Sequence, residues 1–159
     1  MYAVLRIAKL KTMGEIGALG KHNERTRDTP NADATRLREN VRLVGSGDWM
    51  ADAQARLATV PLIRSDAVLG IEHVMTASRE FYARDDDAAR AARLDEWTER
   101  SMAWLREHYG AANIVAAVLH KDEQTPHIQA LVVPINDAGR LSAYTYTGGR
   151  EKLGAMQDS

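Results

Sequence analysis

Apolar and polar residues alternate through "YAVLRIAKL" near the N-terminus, and the stretch is rich in strand formers. A period of two of this kind predicts a strand over residues 2–9. The period then lengthens. In "TMGEIGALGKHNER" the apolar residues Met13, Ile16 and Leu19 fall at helical spacing, and Thr12 with Glu15 three positions later forms a capping-box pattern. Its glycines lower the intrinsic helix propensity. "DTPNADAT" reads as a loop, and "ENVRLVG" as a short strand ending at "GSGD". Asp48 is placed to cap a helix running to about Thr59, with Met50, Ala53 and Leu57 on one face. A second long strand is predicted over residues 68–77. "DDD" at 85–87 then opens a long helix, where acids complement the helix dipole. Leu94, Trp97, Trp104 and Leu105 recur at helical spacing as core anchors, and Gly110 sits where that helix ends.

"NIVAAVLH" (113–120) and "HIQALVVPI" (127–135) are both strand-like, and the six residues between them suit an antiparallel hairpin. "GGREKLGAMQDS" begins a further helix. Strands and helices alternate while the clearest strand pair is antiparallel. The expected fold class is therefore α+β, an antiparallel sheet with helices packed on it.

Composition narrows the picture. The 159 residues suffice for one domain with a sizeable core. No apolar run approaches the ~20 residues that span a bilayer. The chain has no cysteine, which excludes disulfides and thiolate metal sites and fits a cytoplasmic protein. The net charge is −1, but residues 1–43 carry nine Lys and Arg against five acids, and residues 44–100 seven against eleven. A local basic face is thus compatible with a near-neutral total.

The chemistry concentrates in "LHKDEQTPHIQALVVP", residues 119–134. Side chains alternate along a strand, so His127 and Gln129 share a face. If the two strands pair as neighbours, His120 joins them across the ladder. Asp122 and Glu123 lie in the connection, and Pro126 stiffens it. Two imidazoles, an amide oxygen and a carboxylate suit Mn²⁺ or Mg²⁺ better than Zn²⁺. The plainer alternative is a polar hairpin mouth. His73 reads as a satisfied core or surface residue, and His108 as complementing a helix C-terminus.

The same stretch resembles the H-x-D-E-x-x-P-H-x-H motif of the plasmid mobilisation and recombination (Mob/Pre) relaxases of the HUH endonuclease superfamily. "KHNER" (21–25) resembles that family's N-terminal motif, and "GRLSAYTYTGGREKLGAMQDS" the segment after the metal motif. The resemblance implies an HUH relaxase-like sandwich in which residues 1–159 are the catalytic domain of a longer protein that holds further DNA contacts or a dimerisation segment. It implies metal-dependent nicking and strand transfer at a plasmid origin of transfer, on single-stranded or hairpin DNA, through a covalent 5′-phosphate intermediate.

Residue by residue, it makes His120 and His127 metal ligands, with Gln129 standing where the family has a histidine. It nominates His22 as nucleophile, with Tyr144 and Tyr146 as alternatives. Arg25 would clamp the scissile phosphate, and Asn23 would orient an imidazole or cap the helix. Glu123 would ligate the metal or orient His22, and Asp122 would hold a ligand histidine. Lys21, Arg25 and Arg27 would contact DNA, with Lys9, Lys11, Arg36, Arg38 and Arg42 left open. Two other readings stand: a metallonuclease acting through water, and a replication-control DNA-binding module without catalysis.

Overall fold

In the computed structural model, residues 3–26, 30, 32–77, 86–123 and 125–148 are described. Five strands, β1 (Ala3–Leu10), β2 (Val41–Val44), β3 (Gly70–Ala77), β4 (Ile114–His120) and β5 (His127–Val132), form one sheet in the order β1-β3-β5-β4-β2. Every pairing is antiparallel. Around the sheet lie α1 (Met13–Asn23), α2 (Trp49–Leu57), α3 (Asp87–Tyr109) and a short α4 (Ala143–Thr147). The α+β expectation and the β4–β5 hairpin are both borne out.

Local chemistry explains the element ends. Thr12, Asp48 and Asp86 cap α1, α2 and α3, their side chains accepting from the amides of Glu15, Ala51 and Ala89. Gly110 ends α3 at φ 85°, a backbone region that glycine enters without a side-chain clash. The last strand stops at Val132, short of residue 135. Pro134 follows, and Ile135 makes only an isolated bridge to Leu141. The helix expected after Gly148 lies outside the described residues.

Register decides which side chains meet. Glu72 pairs with Leu131, Val74 with Gln129 and Thr76 with His127, while His120 pairs with His127. With a period of two, these residues share one face. Part of that face is covered by α1 and α2 through Leu10, Ile16, Trp49, Ala53, Val118 and Leu131. The opposite face packs on α3 through Ile71, Met75, Leu94, Trp97, Leu105 and Ile128. Trp104 is half-buried, its ring stacked on His108 at 5.3 Å between centroids.

The glycines of α1 have a packing role. A Cβ on Gly20 would meet Trp49 Cβ at 2.8 Å, and one on Gly17 would meet Met50 Cε at 2.6 Å. They let α1 lie tightly against α2, and that contact offsets their weak helix propensity.

His73 is fully buried on the α3 face. Ile71 O lies 3.4 Å from Nδ1, and a carbonyl only accepts, so Nδ1 carries the proton and Nε2 accepts from Tyr109 Oη at 2.7 Å. Burial drives the His73 pKa down to about 4. Between pH 6.5 and about 4 the unfolded chain therefore binds a proton at this position that the folded chain refuses. Its contribution to stability is complete above pH 6.5 and is lost as pH falls toward 4, by up to ~1.4 kcal/mol per pH unit. Urea midpoints should drop across this window, and His73→Gln should make the drop shallower. An unchanged slope in that variant would contradict the assignment.

Candidate active site and metal centre

The site forms where the C-terminus of α1 meets the β4–β5 turn. The helix closes with a Schellman pair: Thr26 N donates to Lys21 O at 2.9 Å and Arg25 N to His22 O at 3.3 Å. Glycine usually occupies the left-handed position of this motif. Here Arg25 occupies it, at φ 57°. The conformation costs about 1 kcal/mol for a residue with a Cβ.

The side chain supplies the compensation. Arg25 Nε and Nη2 donate to the two oxygens of Asp122, each at 2.8 Å. Nη2 also lies 3.4 Å from Glu123 Oε1 and 3.2 Å from His120 Nδ1. Nη1 donates to His22 O at 3.0 Å. The pair is buried, with side-chain exposures of 5% for Arg25 and 1% for Asp122. Burial alone would raise the Asp122 pKa, but the guanidinium overrides it and holds the carboxyl down at about 2. The sequence suggested a phosphate clamp at Arg25. In the structure its donors are turned inward, because a buried carboxylate demands a partner.

The Arg25 contact fixes the state of His120. A guanidinium only donates, so Nδ1 accepts and Nε2 carries the proton, which it gives to Asn23 Oδ1 at 2.7 Å. Burial, then the nearby Arg25 and His127 charges, depress the His120 pKa to about 3. Asn23 is anchored in turn, its Nδ2 donating to Leu19 O at 2.9 Å. His22 is half-buried in the last turn of α1, close enough to His120 for its charge to weigh on that pKa.

The rings of His120 and His127 are 5.0 Å apart between centroids. His127 Nδ1 donates to Thr125 O at 3.0 Å, leaving Nε2 as an acceptor 3.2 Å from Glu123 Oε2. Two acceptors at that distance need a shared proton or a cation between them. Gln129 Nε2 lies 3.3 Å from Glu72 Oε1, and Gln129 Oε1 is buried without a hydrogen-bond partner. An orphaned amide oxygen, and an imidazole nitrogen beside a carboxylate, are donor types that suit a hard divalent cation. Among the described residues no three His, Cys, Asp or Glu side chains are grouped so as to hold a metal by themselves.

Two braces went unnoticed in the sequence. Asn40 Oδ1 accepts from the amides of Lys121 and Asp122 at 2.7 and 3.1 Å, shaping the turn that carries the acids. Glu24 accepts from Arg42 Nη2 at 2.7 Å and from Trp49 Nε1 at 3.1 Å, pinning the end of α1. Arg42 is thereby paired, and Arg36 pairs with Glu39. Lys9, Lys11, Lys21 and Arg38 are exposed, and Arg27 lies outside the described residues. Tyr144 is 78% exposed, whereas the Tyr146 hydroxyl donates to Ile135 O. Near the end of the short α4, Tyr146 turns inward and packs beside Tyr109.

The sequence profile described as plasmid recombination enzyme (Mob/Pre) matches residues 1–159. A Zymomonas mobilis relative described as a 65 kDa protein is 35% identical over 162 residues, covering 98% of this chain and 27% of its own length. A plasmid recombination enzyme of Lactiplantibacillus plantarum is 31% identical, covering 89% of this chain and 40% of its own. This chain thus spans well under half the length of these relatives.

Among solved structures, the MobM relaxase domain bound to plasmid pMV158 oriT DNA, in a Mn-bound crystal at pH 6.8, superposes with a TM-score of 0.83 at 29% identity. The match covers 98% of this chain and 81% of that one. The fold is that of a relaxase domain. The chain belongs to the plasmid recombination enzyme (Mob/Pre) family.

Removing Arg25 strands a buried carboxylate. Arg25→Ala should cost about 3 kcal/mol in urea unfolding at pH 7. Arg25→Gly loses the same ion pair but relaxes the backbone, so it should unfold about 1 kcal/mol less easily than the alanine variant. Equal stabilities would refute the left-handed placement of residue 25.

Proposed function

We propose that this domain is a metal-dependent DNA relaxase. It cuts one strand at a plasmid origin of transfer and stays joined to the 5′ phosphate. The observation that carries the reading is the interlock of two motifs nearly a hundred residues apart: Asn23 on His120 and Arg25 on Asp122, beside His22. The Mn-bound, oriT-bound relaxase that superposes on nearly the whole chain supports it.

His127 through Nε2, Gln129 through Oε1 and Glu123 through Oε2 would hold the cation. His120 joins them by giving up its bond to Asn23 or to Arg25. An amide oxygen in the set favours Mn²⁺ or Mg²⁺ over Zn²⁺. A divalent ion there supplies positive charge to the non-bridging phosphate oxygens. Asn23 and Arg25 fix the proton positions of His120, and Asp122 acts through Arg25.

His22 is the nucleophile in this reading. A neutral imidazole nitrogen needs no deprotonation at pH 7 to attack. The new P–N bond forms as the P–O3′ bond breaks, the 3′ oxygen takes up a proton and the imidazole sheds one from its other nitrogen. The tyrosines are less suited: Tyr146 is engaged by Ile135 O, and burial raises its pKa against ionisation. Tyr144 is exposed, and among the described residues its hydroxyl has no hydrogen-bond partner. Single-stranded or hairpin DNA would meet the exposed Lys21, with Arg27 as a further phosphate contact.

A labelled oriT oligonucleotide incubated with Mn²⁺ should yield a protein–DNA adduct on a denaturing gel. The adduct should be acid-labile, as a phosphoramidate is. His22→Ala should abolish it, while Tyr144→Phe and Tyr146→Phe keep it. Free cleaved DNA without adduct would establish a water-using nuclease instead, and binding without cleavage a non-catalytic module. His127→Ala should weaken Mn²⁺ binding by calorimetry at least tenfold; unchanged affinity would overturn the ligand set.

A further inference from the structure

We infer that Glu72 is a positioning residue that sets the orientation of the Gln129 amide and so decides which of its ends the metal meets. The inference rests on the ligand set proposed above. The two residues are diagonal neighbours on adjacent strands: Gln129 pairs with Val74, and Glu72 precedes Val74 by two on the same face. Gln129 Nε2 lies 3.3 Å from Glu72 Oε1. An ionised carboxylate accepts and never donates, so it tolerates only the NH₂ end of the amide. A flipped amide would set two acceptor oxygens against each other. Glu72 therefore holds the NH₂ on the β3 side and turns Oε1 away from its own carboxylate. That oxygen is buried and has no hydrogen-bond partner, a costly arrangement unless a further group meets it.

The arrangement answers a difficulty specific to glutamine. An imidazole can offer either nitrogen, but an amide offers a ligand from one end and a repelling pair of N–H groups from the other. A glutamine ligand is useful only if its rotation is decided. Among the described residues the Glu72 carboxylate makes no hydrogen bond or ion pair to His120 or His127, so it acts through Gln129.

The test is a double-mutant cycle read by Mn²⁺ calorimetry at pH 7.5. Glu72→Gln removes the acceptor-only partner, because its own amide pairs with either end of residue 129. Mn²⁺ affinity should fall about tenfold in the presence of Gln129. In the Gln129→Ala background the same substitution should produce no further loss. An unchanged affinity in Glu72→Gln overturns the inference. So does an equal loss in both backgrounds, which would mean that the Glu72 charge attracts the ion directly.

Should Glu72→Gln fail to fold, the unaltered chain supplies a second readout by side-chain amide NMR. Added Mg²⁺ should shift the Gln129 side-chain carbonyl while its NH₂ protons keep their hydrogen-bonded positions. Loss of those NH₂ positions would reject the orientation. Absence of Mn²⁺ binding to the unaltered chain, or its survival in His127→Ala, would instead defeat the ligand set on which the inference rests.

Discussion

The buried ion pair between Arg25 and Asp122 is the constraint on which the site depends. It joins the end of the first helix to the turn between β4 and β5, and His22, His120 and Glu123 each meet Arg25. Arg25 dictates the tautomer of His120 through Nδ1, grips the His22 carbonyl and approaches Glu123. The desolvation of two charges makes such a pair a poor source of net stability. Its value here is geometric: two planar groups meeting through parallel hydrogen bonds leave little freedom in how α1 lies against the sheet.

That alignment is reinforced from the other side of the helix. Gly17 and Gly20 let α1 sit against Trp49 and Met50, and Trp49 reaches Glu24 with its indole N–H. Glu24 also receives Arg42 from the edge strand. The end of α1 is thus held by helix packing beneath it and by charge on two flanks. His22, in the last turn, inherits a fixed position from these contacts.

Much of this was legible in the sequence because it follows local rules. Caps at Thr12, Asp48 and Asp86 and the stop at Gly110 need only neighbouring residues. The shared face of His127 and Gln129 needs only strand parity. What stayed hidden depends on strand order and backbone geometry. No local pattern places β3 beside β5, and that adjacency alone brings Glu72 to Gln129 and buries His73 against Tyr109. The left-handed Arg25 was invisible too, since helix-end rules expect glycine there. It led to an outward clamp being expected where the structure has an inward one. His73 did carry a usable signal: it falls on the same strand face as Ile71 and Met75.

The placement of β4 and β5 inside the sheet has a consequence for motion. Both strands are laddered on either side, so the histidines they carry stand on the least deformable wall of the molecule. The end of α1 is fastened to that wall by side chains, with no backbone ladder between them. Any adjustment during a reaction cycle must therefore come from exchange of side-chain partners at this seam, while the wall itself stays put.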